Sequence, residues 1–522
     1  MTGWTTMLRH LVRTSWLGVL AAPTLLAALV IGTFAGVKHL YPTAVERQIY
    51  AATLGESPAS WAFNGRGYDL EALGGIGAYE VGFMGQLALP VVGLLLSVRT
   101  TRALEDSGHL ELITSARVAR TAIPVASLAT SLMVWTLFAV LVHGGLVVLG
   151  LPVSGAAGYA GTMALFGLAA SGLGLVLGQL AGSARSATSL GLTLVMGGYL
   201  VRAVVDGRKL DAAWLSPMGW AAEARPWGPW HWWPVVAHAA LAVACGLTAL
   251  TVAARRDLGQ GILPQRPGRA TGSGTLAHPM GLAWRITRGG IAGWTIGAIA
   301  WAAALGSLSR EFVDIVAKNP TLLEALGGNA DQLVQVMAML LTAAMAMAAG
   351  VGVVTRLGGE EGEGRLGLLL AGRRSRVGWW LGWCLVAVAA TTGVLAAGAL
   401  ALGVTQWIVL DQSTTMDDAL RAGLELLPAC LAVVGLAATV TALAPRWRAL
   451  SWLPVAWVTV VGLLGEPLRL PRWAINLSPT ELVGRVPVES GDAGATIVLS
   501  LAAALLVGVG GWVLARRDLV HG

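Results

Sequence analysis

The residues of this chain best suited to chemistry are charged side chains that occur twice in the same order. Each copy begins with acidic residues, continues with an apolar stretch and ends with arginines; the copies occupy residues 105–120 and 360–376. Carboxylates and guanidinium groups form charge-assisted hydrogen bonds, which suit the binding of a protein partner. Because each copy lies between two long apolar stretches, the pattern predicts two equivalent docking segments.

Other chemical motifs are missing from the sequence. A Walker A loop places a glycine directly before its lysine, so that backbone amides and the ammonium group bind phosphates. None of the three lysines (Lys38, Lys209 and Lys318) follows a glycine. None of the eight histidines forms a His-Glu-x-x-His zinc pair. The three cysteines fall in apolar stretches, which argues against a disulfide framework or a metal site.

Asp417 and Asp418 form an acidic pair that could support metal-dependent lipid chemistry. The pair lies in a short connection, and no matching acidic motif accompanies it. We therefore expect no catalytic residues, no resident metal and no enzymatic activity in this chain.

The composition places the docking segments in a membrane protein. Hydrophobic residues make up 55% of the chain and charged residues 12%, and the mean hydropathy is +0.69. An α-helix needs about 20 apolar residues to cross roughly 30 Å of hydrocarbon. The stretches that approach this length are residues 16–37, 77–98, 121–150, 157–182, 187–206, 232–253, 289–309, 333–354, 378–410, 420–443, 449–465 and 494–514. We predict an all-α polytopic membrane protein of about twelve transmembrane helices.

Three further motifs recur in order and divide the chain into two halves. They are Leu70–Gly75 with Leu323–Gly328, Leu215–Pro217 with Leu477–Pro479, and Ala254–Leu258 with Ala515–Leu519. Internal symmetry of this kind is common among transporters. We predict homologous six-helix halves at residues 1–256 and 283–522. The connection at residues 257–282 contains Pro264, Pro267 and Pro279, and it is typical of a cytoplasmic linker.

The arginines predict the orientation. Most of the 35 lysines and arginines fall in alternate connections between helices, and basic residues favour the cytoplasmic side. This places both termini in the cytoplasm. Arginine far outnumbers lysine, and alanine, glycine and valine are abundant, which is typical of a bacterium with a GC-rich genome, so we expect the helices in a bacterial plasma membrane. The basic residues are dispersed and flank apolar spans, so the net charge of +7 indicates topology rather than nucleic-acid binding.

The paired charged segments, the duplicated layout and the Leu-Ser-Pro motifs resemble those of ABC-2-type exporter permeases. The chain is most similar to the actinobacterial multidrug and polyketide-antibiotic efflux permeases of the tetronasin-exporter type. In that family the segment is similar to Glu-Glu-x-Gly-x-Leu-Glu-Leu-Leu, followed by a small residue and Arg. The matching residues are Glu105, Asp106, Gly108, Leu110, Glu111, Leu112 and Arg120 in the first half and Glu360, Glu361, Gly364, Leu366, Leu368, Leu369 and Arg376 in the second. Gly367 replaces the expected acid of the second copy.

The resemblance implies an ATP-driven exporter of the ABC-2 (type V) fold. Two ABC ATPase subunits, expected to form a homodimer, would carry ATP and Mg²⁺ and would power the export of hydrophobic or amphipathic drugs, antibiotics or lipids. The acids that would contact these ATPases are Glu105, Asp106, Glu111, Glu360, Glu361 and Glu363. The arginines that would anchor the following helix are Arg117, Arg120, Arg373, Arg374 and Arg376. The rule that basic residues favour the cytoplasm also accounts for most of these arginines.

The connections that carry the Leu-Ser-Pro motifs are candidates for an outer gate. In the family, short re-entrant helices at these positions close the exit for the substrate. The corresponding residues are Leu215, Pro217, Trp220, Leu477 and Pro479. The tryptophans could stack on aromatic substrates, but tryptophan at this depth more often anchors a helix among the lipid headgroups.

A proton-coupled secondary transporter is the main alternative, because such proteins also commonly have twelve helices in two halves. Residues 99–120 lack the Gly-x-x-x-Asp-Arg/Lys-x-Gly-Arg motif of the major facilitators. The ionisable residues Glu80, Arg202 and Glu425 are expected near the outer helix ends, where they would reach water. A mostly apolar interior favours a hydrophobic cargo. A membrane protein without transport activity remains a third interpretation.

Overall fold

The computed structural model describes residues 3–54, 58–108, 119–257, 259, 261–263, 274–310, 312–313, 330–362, 364–371, 375–464 and 471–518. Within these ranges the regular structure is helical and no strand occurs. Eleven helices of the described ranges are long and apolar enough to cross a membrane. The protein is therefore an all-α, multi-pass membrane protein, which confirms the fold class predicted from the sequence.

The chain forms two compact units, Met1–Gly268 and Arg269–Gly522. The described helices of the first unit are α1 (Trp4–Leu40), α2 (Ala44–Leu54), α3 (Pro58–Asn64), α4 (Leu73–Thr100), α5 (Arg102–Asp106), α6 (Ala122–Val148), α7 (Val153–Leu180), α8 (Ala184–Gly207), α9 (Pro217–Glu223) and α10 (Trp233–Arg255). Six of them, α1, α4, α6, α7, α8 and α10, have the length and hydropathy of membrane spans.

An aromatic core holds the first unit together. Phe34, Trp135, Phe138 and Tyr159 are buried in one cluster of side chains from α1, α6 and α7. The indole of Trp135 donates a hydrogen bond of 2.9 Å to Ser171 Oγ, so its polar atom is satisfied inside the apolar interior. The indole N–H is the only polar group of the tryptophan side chain. Its hydrogen bond therefore allows the ring to be fully buried and also fixes the orientation of the ring.

Glycines set the distance between α4 and α7. A Cβ at Gly93 would lie 2.6 Å from the carbonyl oxygen of Gly167, and one at Gly174 would lie 2.8 Å from that of Leu94. Small residues of this kind let two membrane helices approach closely and gain van der Waals contact. The close approach positions the end of α4, where the first charged segment begins.

Replacing Gly93 with alanine should separate α4 from α7 and lower the stability of the protein. The added methyl group would meet backbone rather than a movable side chain, and overpacking of this kind costs about 1–3 kcal/mol. Thermal unfolding of the purified protein in detergent measures the effect. Gly144→Ala is the matched control, because among the described residues no atom lies within 4 Å of a Cβ at Gly144. Equal unfolding temperatures for the two variants would contradict the packing described here.

The second unit repeats the arrangement with one shorter helix. Its described helices are α11 (Pro279–Ser307), α12 (Ala330–Gly362), α13 (Arg365–Leu370), α14 (Arg376–Leu410), α15 (Thr414–Leu443), α16 (Leu453–Leu464), α17 (Arg472–Ile475), α18 (Pro479–Val483) and α19 (Ala493–Arg516). Of these, α11, α12, α14, α15 and α19 have the length and hydropathy of membrane spans. The span predicted at 449–465 is described as a 3₁₀ turn, Leu450–Trp452, and the 12-residue α16. At 1.5 Å per residue α16 is shorter than the bilayer core.

The end of the predicted linker is helical. Helix α11 begins at Pro279, inside the stretch 257–282 that the prolines had assigned to a linker. Proline is favoured in the first turn of a helix, where its missing N–H needs no partner and its fixed φ suits the helix. Pro279 therefore marks a helix start rather than a loop, while residues 264–273 of the predicted linker lie outside the described residues.

Candidate functional site

The first charged segment forms the short helix α5 at the end of α4. The backbone leaves helical geometry at Thr101, with φ −126° and ψ −87°, and α5 starts at the next residue. Arg102 is buried, and its Nη1 bonds Glu105 Oε2 at 3.0 Å while its Nε bonds Asp106 Oδ1 at 3.1 Å. Its Nη2 donates to the carbonyl oxygens of Gly182 and Gly259 at 2.6 and 3.1 Å. One guanidinium thus fixes α5 to the connection after α7 and to the chain beyond α10.

Glu105 joins α5 to the end of α10. Its side chain is only 3% exposed and forms an ion pair with Arg256, the residue that directly follows α10. The Nε of Arg256 donates a further bond of 2.7 Å to Gln179 Oε1 in α7. Arg120, which precedes α6, donates to the carbonyl oxygen of Arg256 at 3.3 Å.

The second unit contains the same ion pair. Glu361, near the end of α12, is 4% exposed on its side chain, and Arg517 directly follows α19. Arg517 donates from Nη1 to Glu361 Oε1 at 2.5 Å and from Nη2 to Oε2 at 2.6 Å. Arg376, at the start of α14, donates to the carbonyl oxygen of Arg517 at 2.8 Å. We call the Glu105–Arg256 and Glu361–Arg517 pairs the two clasps.

The two copies differ around the clasps. In the first unit the clasp is supported by Arg102 and Asp106. In the second, Glu360 lies beside the clasp residue and pairs with Arg356 at 3.2 Å and with Arg365 at 2.6 Å. The second unit therefore has its own ion-pair network from α12 to α13.

The remaining residues of the predicted docking segments have varied surroundings. Asp106 is 32% exposed on its side chain, and its Oδ2 accepts a 2.6 Å bond from the backbone N–H of Ala184 at the start of α8. An acid at a helix N-terminus is favoured by the helix dipole. Arg120 also pairs with Asp257 at 3.2 Å on an exposed surface, where ion pairs contribute little. The predicted site residues Glu111, Arg117, Glu363, Arg373 and Arg374 lie outside the described residues.

The arginines of the clasps were missed as site residues. In the sequence Arg256 and Arg517 are parts of a recurring Ala-Arg-Arg-Asp-Leu motif, and the basic-side rule alone explained them. The motif and the acidic segment each occur once in each half and in the same order, and this joint recurrence could have indicated that they interact. In each unit the structure brings the acidic segment into contact with the Ala-Arg-Arg-Asp-Leu motif. One buried ion pair therefore explains why both motifs occur in both units.

The Leu-Ser-Pro motifs start short helices, away from the clasps. Pro217 is the first residue of α9, and the Ser216 hydroxyl donates to the carbonyl oxygen of Gly198 at 2.8 Å. Pro479 likewise begins α18. Leu215 and Leu477 are exposed, and the ring of Trp220 packs against those of Trp233 and His238. The motif is thus a helix start, with Ser before Pro at the first helical position.

The three ionisable residues expected near water all have hydrogen-bond partners within the protein, and one of them, Arg202, is buried. Arg202 is 1% exposed and donates to the carbonyl oxygens of Trp61 and Phe63, both at 2.9 Å. Glu80 accepts a hydrogen bond from a tyrosine of α2. Glu425 accepts bonds from Arg421 Nε at 2.8 Å and from the Gly491 N–H at 3.0 Å. For Arg202 the expectation was wrong, because α3 lies beside α8 and its carbonyl groups bind the guanidinium there.

The whole chain is similar to a known transport protein. The multidrug efflux system permease protein Rv1217c of Mycobacterium tuberculosis (strain ATCC 25618 / H37Rv) is 29% identical over 517 residues, which cover 97% of this chain and 92% of that protein. The family model described as the C-terminal domain of the multidrug efflux system permease Rv1217c matches residues 276–514. The similarity thus extends over both units, and the family model falls on the second.

Proposed function

We propose that this chain is the permease of a bacterial multidrug efflux system and that separate ABC-type ATPase subunits power it. Similarity to an efflux permease along nearly the whole chain supports the transport role. The duplicated charged segments favour an ABC-2 permease of the tetronasin-exporter type. The sequence has no Walker A loop, so two partner subunits, expected to be identical, would bind ATP and Mg²⁺. The chain would act as a transport subunit without enzymatic activity, and its cargo would be a hydrophobic or amphipathic drug, antibiotic or lipid.

The observation that carries this proposal is the clasp, present once in each unit. A docking helix transmits motion only if it is attached to the transmembrane helices beyond it. In the first unit α5 is attached through Glu105 to the end of α10 and through Asp106 to the start of α8. An ATPase that shifts α5 would therefore shift the ends of α8 and α10 with it.

The burial of the clasp acids changes which residues would touch the ATPase. Glu105 and Glu361 would hold the docking helices in place, whereas Ser107 and Ala371 are exposed at the ends of α5 and α13. Asp106 is the most accessible of the acids in α5. The contact surface would thus be the exposed side of α5 and α13, with the clasps behind it.

The distribution of arginines suggests how the chain is oriented in the membrane. We place the clasps in the cytoplasm, together with both termini, because the arginines concentrate there. The exposed tryptophans Trp214, Trp232 and Trp473 would then lie at the outer face of the plasma membrane. Tryptophan is enriched at membrane–water interfaces, so these side chains would anchor the outer connections among the headgroups.

Arginine introduced at both Ser107 and Ala371 should abolish binding of the ATPase and efflux. The two positions are exposed, so the change alters the docking surface and leaves the clasps in place. A charge buried without a partner in an interface costs several kcal/mol. This cost corresponds to a loss of affinity of at least about a hundredfold. Co-purification after co-expression with the neighbouring genes measures binding of an ATPase, and ATP-dependent dye transport in vesicles measures efflux.

The matched control introduces arginine at Leu210 and Gln412, which are exposed in connections expected at the outer face and are not among the gate candidates. This variant should retain the ATPase and its transport activity. Normal complex formation by the Ser107 and Ala371 variant would refute the docking surface. Transport by the wild-type chain in a proton gradient alone, without ATPase or ATP, would favour the secondary transporter instead.

A further inference from the structure

A cavity opens within the first unit, beside α4 and α7 and away from the clasp. Its wall includes residues of the connection before α4, such as Arg66 and Asp69, and residues after α9, such as Arg225 and Trp227. It is partly enclosed by protein and partly open to the surroundings. The wall combines aromatic and aliphatic side chains with polar groups, which is typical of small-molecule sites.

Several polar atoms of this wall lack partners. Within the described residues, no hydrogen bond satisfies Tyr159 Oη, Gln86 Oε1, Trp227 Nε1 or Asp69 Oδ2. Tyr159 and Gln86 are 3% and 5% exposed. Folded proteins leave few buried polar groups unpaired, and each costs about 1–3 kcal/mol. Four such atoms around one cavity indicate that something polar completes their hydrogen bonding.

The surrounding structure holds these groups in place. Gln86 Nε2 donates to the carbonyl oxygen of Asn64 at 3.1 Å, which leaves its Oε1 as the available acceptor. The Tyr159 ring packs against Phe34 and Trp227, with centroid separations of 5.4 and 6.1 Å. The Trp227 ring packs directly on Gly74. A Cβ at residue 74 would lie 2.2 Å from the nearest atom of that ring, so only glycine fits at this position. The polar atoms are therefore fixed before any ligand binds.

Charge at the cavity is balanced. The ion pairs beside it are Arg66–Asp206 at 3.3 Å, Arg66–Glu223 at 3.8 Å, Arg202–Asp206 at 3.7 Å and Arg225–Glu223 at 3.5 Å. With Asp69 the cluster has three basic and three acidic side chains, so it has no excess of either sign. A neutral ligand suits this environment better than an anion or a cation, because it leaves the existing pairs intact.

We propose that this cavity binds the hydroxylated aromatic part of a neutral amphipathic molecule. The hydroxyl group would bond the unpaired atoms of Tyr159 and Gln86, and the aromatic ring would pack against apolar wall residues such as Met163 and Phe166. The site deepens the proposed efflux function, and it rests on that function for the fate of the ligand after binding. Binding itself requires neither an ATPase nor ATP.

Equilibrium dialysis of the whole chain in lipid nanodiscs tests the site with 7-hydroxycoumarin and coumarin, which differ by one hydroxyl group. At a mildly acidic pH both probes are neutral. We expect one saturable site for 7-hydroxycoumarin, with about tenfold weaker binding of coumarin, as the loss of one hydrogen bond to buried groups predicts. Tyr159→Phe and Gln86→Leu should each remove most of this preference.

Tyr41→Phe is the matched control, because Tyr41 does not line the cavity, and it should retain the preference. Tyr159→Phe removes a hydroxyl group that has no partner within the described residues, so it should fold as well as the wild type. Equal binding of the two probes, or uptake that matches empty nanodiscs, would overturn the site. Probe binding without ATP-dependent transport would refute the efflux function and leave the site intact, and the reverse result would refute the site alone.

Discussion

Replacing Arg517 with methionine should destabilise the second unit by about 3–5 kcal/mol, the usual cost of removing one partner of a buried ion pair. Arg517 donates to both oxygens of Glu361, and a methionine side chain donates to neither. The buried carboxylate would lose these two charge-assisted bonds, which compensate part of its desolvation. Thermal unfolding of the purified protein in detergent should show a lower transition temperature.

A second variant separates the effect of the clasp on stability from its effect on ATP-dependent efflux. Combining Arg517→Met with Glu361→Gln removes both charges, and such replacements of a buried pair are often close to neutral. We expect this double variant to recover most of the lost stability but not ATP-dependent efflux, because α12 would no longer be tied to the end of α19. An unfolding temperature equal to wild type for Arg517→Met, or full efflux by the double variant, would refute the role of the clasp.

Replacing Arg202 with methionine should destabilise the first unit by an amount of similar size, about 3–5 kcal/mol. Arg202 is almost fully buried, bonds the carbonyl oxygens of Trp61 and Phe63, and lies 3.7 Å from Asp206. Its removal would leave two carbonyl groups and one carboxylate without these bonds. Helix α3 and the segment that follows it should then become more sensitive to protease, and the unfolding temperature should fall.

Arg208→Met provides the matched control for that change. Arg208 follows α8 by one residue and is exposed, and substitutions at such positions usually change stability by less than about 0.5 kcal/mol. If the Arg202 and Arg208 variants unfolded and were cleaved alike, the bonds of Arg202 to the carbonyl groups of Trp61 and Phe63 would not contribute to stability.

The local sequence was sufficient to predict the class of fold, an all-α membrane protein. Long apolar runs such as 378–410 predicted a helix that the structure has at Arg376–Leu410, because length and hydropathy determine which segments can cross a membrane. Length and hydropathy also predicted a span at 449–465, where the described helix α16 has 12 residues. The linker at 257–282 was assigned from its prolines, but proline occurs both in loops and in the first turn of a helix, and Pro279 starts α11.

The candidate site was harder to predict, because burial depends on distant segments. The acidic residues Glu105 and Glu361 stand in polar sequence, which suggested accessible contacts for a partner. Their burial arises from arginines at the ends of α10 and α19, more than 150 residues away in the chain. A pattern read along the sequence shows that two motifs recur together, but not that they touch.

The clasps also constrain the order in which the protein can be completed during synthesis. Each joins residues 151 or 156 positions apart, and its arginine follows the last long helix of its unit. A ribosome adds about 5–20 residues per second, so each acid is made many seconds before its arginine. In the folded protein the acid of the first unit also pairs with Arg102, its neighbour in α5. Neither unit can reach its final form before its last helix has entered the membrane, so a chain truncated before α19 would retain a complete first clasp and an unfinished second one.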